Sequence, residues 1–164
     1  MSPEAASLLV QSFSYAVFAS VFVLYGRDRL GSKPLGVALT ALLWFHVFRY
    51  LPLQLFSAQE VGTLDISDRD RDLIAYGDLA AALFAFASIW LLHLRVSWAR
   101  GFVWLTVAVL IADLIDAGIV GISGGVTETA TDLSFVIVGV YVPALVITAA
   151  AIVWQLWSRR GEAL

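Results

Sequence analysis

Apolar residues dominate five stretches of the chain, about Ala6–Tyr25, Pro34–Phe56, Leu73–Leu94, Gly101–Ile122 and Leu133–Trp157, with polar residues gathered between them. Each stretch is long enough for a helix to cross the ~30 Å hydrocarbon core of a bilayer, which takes about 20 residues. Backbone amides in lipid have no water to bond, so a run of this kind closes its hydrogen bonds internally as a helix. The pattern predicts an all-α, polytopic membrane helix bundle of five transmembrane helices, forming a single integral membrane domain over residues 1–164. The connections are expected to be a tight basic turn at Gly26-Arg27-Asp28-Arg29, an acidic water-facing loop over Ser57–Asp72 that carries a short surface helix, the short RVSWAR segment and a Gly/Thr loop, SGGVTETATD.

Loop charge orients the bundle. Arg27, Arg29, Lys33, Arg95, Arg100, Arg159 and Arg160 fall at one set of ends, whereas Arg69 and Arg71 at the other sit among Asp65, Asp68, Asp70 and Asp72. By the positive-inside rule the N-terminus is expected outside and the C-terminus in the cytoplasm, in a cell membrane of the bacterial plasma or inner-membrane type. MSPEAASLLVQ has no basic residue ahead of its apolar run and reads as a retained first span. Trp98, Trp104, Trp154 and Trp157 near the basic ends fit a belt at the lipid headgroups.

Composition sharpens this picture. The chain is 60% hydrophobic, with a formal net charge of −3 and no basic run, so membrane lipid is an expected partner and nucleic acid is not. Cysteine is absent, which removes disulfides, thiol redox chemistry, Cys-ligated zinc and iron–sulfur clusters. The single lysine, Lys33, falls in a loop, so a retinal Schiff base within a span is excluded.

The candidate chemistry lies where polar residues interrupt the apolar pattern. His46 and Arg49 sit one helical turn apart in ALLWFHVFRYLPLQL, and Asp113 and Asp116 share that spacing in LTVAVLIADLIDAGIVGI. At 1.5 Å per residue from the basic ends, His46 and Asp113 stand roughly 18 Å up and Arg49 and Asp116 roughly 22 Å up. Tyr141 comes out at roughly 24 Å, Gln11 at roughly 21 Å, and Asp78 at roughly 27 Å, close to the far surface. An ion facing lipid costs about 2.5–3.5 kcal/mol on insertion scales. The expected arrangement therefore turns these groups inward, with Arg49 on Asp116 or Asp113 and His46 bonding the other carboxylate. One acid would then lack a full partner and be able to carry a proton. Pro52 and Pro143 are expected to kink their helices beside this layer. Gly118, Gly121 and Gly139 are expected at close helix contacts.

A ligand or proton site is thus expected at His46, Arg49, Asp113, Asp116, Asp78, Tyr141 and Gln11, with no cofactor. Haem needs its two axial imidazoles at one level, and His93 lies near a basic end while His46 is near mid-span. A divalent metal on His46, Asp113 and Asp116 is opposed by Arg49. The function expected from this site is to bind or translocate a small solute or proton. The alternatives are an accessory subunit of an oligomer or larger membrane complex, whose polar layer only packs helices, and a lipid-acting enzyme, for which no nucleophile motif is present.

In size, span number and tryptophan content the chain resembles the tryptophan-rich sensory protein or translocator family, with the nearest local likeness in VYVPALVITAAAIVWQLW. The likeness implies a five-helix bundle and, by analogy, small-ligand binding. The Trp/Pro-rich first loop of that family is missing, and an arginine facing two aspartates is not its pattern.

Overall fold

A computed structural model describes residues 3–60, 62, 66–123 and 132–164. Five helices in it are long and apolar enough to cross a membrane: α1 (Ala5–Gly31), α2 (Leu35–Glu60), α3 (Asp68–His93), α4 (Ala99–Gly121) and α5 (Ser134–Ser158). No strand occurs among the described residues. The expected loop SGGVTETATD falls largely outside them.

Helix α3 packs most extensively against α2 and α4, and α2 in turn also meets α5. Its buried positions, Ala75, Asp78, Ala82, Ala85, Ile89 and Leu92, recur every three or four residues and make one face. The alanines let neighbouring backbones come close, and a Ser88–Thr106 hydroxyl bond of 2.7 Å ties α3 to α4 in the interior. In contrast, only 11% of the most apolar window of α1 is buried, against 44% in α2. Helix α1 is peripheral and packs on α5, where a Cβ at Gly139 would come within 2.9 Å of Val10 Cγ1. That is the close helix contact expected for Gly139.

Several boundaries differ from the sequence reading. The first helix does not stop at Tyr25. It passes through a π-turn at Phe22–Gly26 and continues to Gly31, because Arg27 stacks over the Trp154 ring at 5.8 Å and holds the added turn against α5. Pro34 is the residue before α2, not its first turn, and the carboxylate of Glu162 accepts the Leu35 amide at 3.2 Å. Helix is present in the acidic segment, but as extensions of α2 through 57–60 and of α3 through 68–72 instead of a separate surface helix. Ser67 caps α3 by accepting the Asp70 amide at 3.1 Å, and Asp68 and Asp70 complement the positive end of the helix dipole. At its other end α3 closes with Arg95 at φ 53°, Val96 N–H donating to Leu91 O and Arg95 N–H to Leu92 O. This is the usual left-handed helix stop without its usual glycine.

Arg159 donates to the Leu30 and Lys33 carbonyls and Arg100 to the Arg160 carbonyl, so the basic segments meet at one end of the bundle. Just above that end lies a dry core of Leu35, Leu39, Leu43, Ile89, Val103, Ile152 and Leu156. A second, smaller apolar cluster of Leu55, Ala58 and Ile66 lies toward the acidic end.

Candidate functional site

Between the two apolar clusters the bundle holds a buried ion cluster. Around Arg49, α2 changes from α-helix to a 3-10 segment, Phe48–Leu53, that contains Pro52. Proline has no amide hydrogen, so the ladder must be rewound there. Tyr141 of α5 reaches this point, its hydroxyl donating to the Phe45 carbonyl at 2.7 Å. Helix α5 is irregular at the same level: a π-turn, Ile137–Tyr141, precedes Pro143. Both prolines therefore accompany departures from α geometry, beside Arg49 and Tyr141.

Arg49 is 1% exposed. Its Nε donates to Asp78 Oδ1 at 2.6 Å, its Nη1 to the Leu110 carbonyl at 3.3 Å, and its Nη2 to Asp113 Oδ2. A guanidinium stays charged in any protein setting and offers donors in a fixed planar fork, which suits it to bridging two carboxylates from different helices. One residue of α2 thereby holds α3 and α4 together. The approach of α3 to α4 depends on Gly77, where a Cβ would run into Asp113 Oδ1.

Of the expected pairings, Arg49 with Asp113 is present. Asp78 joins it, which the height estimate had placed near the surface. The error lies in the starting point: α3 ends at His93 and not near Val96, and 15 residues from His93 put Asp78 roughly 22 Å up, level with Arg49. Asp116 is exposed, and the side-chain hydrogen bonds of Arg49 go to Asp78, the Leu110 carbonyl and Asp113 instead. Three residues turn a helix by about 300°, so Asp116 sits about 60° away from the face that carries Asp113 and one turn nearer the acidic end. His46 bonds no carboxylate. It is fully buried, and its Nε2 lies 3.1 Å from the Thr148 hydroxyl of α5. That hydroxyl donates to the Ala144 carbonyl at 2.8 Å, which leaves it as the acceptor from Nε2–H and leaves Nδ1 as an acceptor with no partner. His93 is exposed, packed edge-on against Trp90. No group of three or more His, Cys, Asp or Glu side chains suited to a metal occurs among the described residues.

A cavity of about 290 Å³ opens beside the cluster. Arg49, Asp78, Tyr141 and Gln11 line it, as does Tyr15 of α1, and the remaining wall is mostly apolar, including Pro52, Leu55, Ile74 and Val138. The Ser134 hydroxyl on its wall accepts from Gln54 Nε2 at 3.0 Å. Gly118 and Gly121 are wall residues here, and a Cβ at either would meet nothing within 4 Å. The expectation that these two glycines mark a close helix contact is therefore wrong; they leave room instead. Gly77, Thr148, Tyr15 and the Leu110 carbonyl were not expected at the site. Only Gly77, placed directly before an intramembrane acid, carried a signal in the sequence.

The fold and site define a class: an all-helical protein with five helices apolar enough to span a membrane and a cavity beside a buried three-residue ion cluster. The chain belongs to the family described as Domain of unknown function (DUF8737), whose model matches residues 6–157. No curated protein matches the chain, and no solved structure does.

Proposed function

We propose that this protein is a multi-pass membrane protein that binds or moves a small solute or a proton at the cavity beside Arg49. The supporting observation is the cavity itself, because it reaches an ion pair otherwise sealed among helices. Ionisable groups inside a span are costly and are kept mainly where they face a pathway or partner. Here two carboxylates and a guanidinium stand at one level, and Asp78 and Arg49 border open space. With the basic end in the cytoplasm, the cavity lies in the outer half of the bundle and the dry leucine core closes it from inside. Tyr141 joins α5 to α2 at the rim, so a movement of α5 about Pro143 would change access to it.

Reconstitution tests this reading. Purified protein in liposomes is assayed for dissipation of a pH gradient and, in detergent, for thermal stabilisation by a panel of small solutes. The expected result is flux or stabilisation that Asp78→Asn diminishes. A wild-type protein that shows neither flux nor stabilisation would count against the proposal.

One observation favours a second reading, an accessory subunit whose cluster only packs helices. Each of these guanidinium hydrogen bonds from Arg49 runs to α3 or α4, as a helix clamp requires. In that case substitutions lower stability and change no binding.

A further inference from the structure

The charge count at the cavity points to the kind of ligand it accepts. One guanidinium against two carboxylates leaves the cluster with a formal charge of −1. Arg49 has little charge left to offer an anion, since its Nε and Nη2 already face Asp78 and Asp113. Of the two acids, Asp78 borders the cavity, and only its Oδ1 is engaged by Arg49. Two tyrosines, Tyr15 and Tyr141, also stand on the wall, and aromatic rings attract cations through their negative faces. Other charged groups near the cluster do not reverse the balance. Asp116 on α4 is a further acid one turn beyond Asp113, and His46 is turned to Thr148 on α5. A volume of about 290 Å³ sits at the small end of ligand pockets, which run from ~300 to ~1,000 Å³.

We propose that the cavity binds a small organic monocation with an apolar body, its cationic head against Asp78 and its body along the Leu55, Ile74 and Val138 wall. This rests on the reading of the cavity as a ligand site and adds the sign of the ligand. An ammonium group supplies the positive charge that the cluster lacks, in a setting where a charge pair is screened less than at the surface. An anion would meet the same excess negative charge and be repelled.

A charge series on one shape tests it: benzylammonium, benzyl alcohol and benzoate, each titrated into detergent-solubilised protein at neutral pH by calorimetry. Benzylammonium is expected to bind more than tenfold tighter than benzyl alcohol, and benzoate more weakly than either. Gly118→Phe, which fills the cavity without touching the ion cluster, is expected to abolish binding of all three. Asp78→Asn is expected to shrink the preference for the cation to less than threefold; if that variant does not fold, the wild-type series alone decides. Equal binding of the cation and the alcohol, or tighter binding of benzoate, overturns the cation assignment and leaves the ligand site standing. Absence of binding by all three overturns both.

Discussion

Arg49→Met removes the cation that joins α2 to α3 and α4 and leaves two carboxylates, with side chains 9% and 10% exposed, facing each other without a counter-charge. Hydrogen bonds to charged groups contribute about 1.5–3 kcal/mol each, and Arg49 makes two of them to carboxylates. Removing one partner of a buried pair costs about 3–5 kcal/mol by itself, because the remaining charge stays desolvated. The two estimates agree on a loss of roughly 3–5 kcal/mol. For a chain of 164 residues, with about 2–4 °C of melting temperature per kcal/mol, that is a fall of roughly 6–20 °C. Thermal unfolding in detergent, followed by tryptophan fluorescence, reads it directly. The triple variant Arg49→Met/Asp78→Asn/Asp113→Asn replaces the ions with neutral groups of similar volume and is expected to regain at least half of the loss, since a buried ion network can often be exchanged for neutral groups at little cost. An Arg49→Met protein as stable as the wild type, or a triple variant worse than the single one, would refute the cluster as the structure arranges it.

Other consequences follow from the same geometry. Gly77→Ala places a methyl group against Asp113 Oδ1 and is expected to cost about 1–3 kcal/mol by thermal unfolding, more than the same change at Gly118, where there is space. Ser88 and Thr106 are fully buried and bonded to each other, so a double-mutant cycle to Ala is expected to give a coupling of about 0.6 kcal/mol, and below ~1.7. At the basic end, the Arg159 guanidinium holds the Glu162 carboxyl below its ordinary range, helped by the Leu35 amide. Because the folded-state value is depressed, the tail's attachment to α2 is complete above the ordinary glutamate value of ~4.3 and is lost as pH falls through the lower folded value. Glu162→Gln is expected to abolish this pH dependence, read as exchange protection of the Leu35 amide; protection that is unchanged by acid would contradict it.

Hydropathy alone made the five helices legible, since an apolar run of that length has few other ways to satisfy its backbone. The pairing of Arg49 with Asp113 was also legible, because helical rise converts sequence position into height. What failed was rotation and the exact starting points. Asp116 shares a nominal face with Asp113, yet a 60° turn puts it on the exposed side. Asp78 was placed too high because Arg95, a residue with no glycine-like signature, ends α3 in the left-handed region. His46 and Arg49 face different neighbours for the same rotational reason, one toward Thr148 and the other toward the acids. Gly118 and Gly121 look identical to packing glycines in sequence, and only the position of the neighbouring helices shows that they border a void. The cavity itself is a property of five helices together and has no signature in any single one.

The central claim is that the space beside Arg49 and Asp78 holds a ligand and is not a flaw in a helix clamp. An experimental structure of the protein in lipid, at a resolution that shows small molecules, tests this most directly. The account predicts non-protein density in the cavity, in contact with Asp78 and bounded by Tyr15 and Tyr141. A dry, collapsed space with α1 and α5 closed onto an intact Arg49–Asp78–Asp113 cluster would contradict it and leave the packing role as the better account.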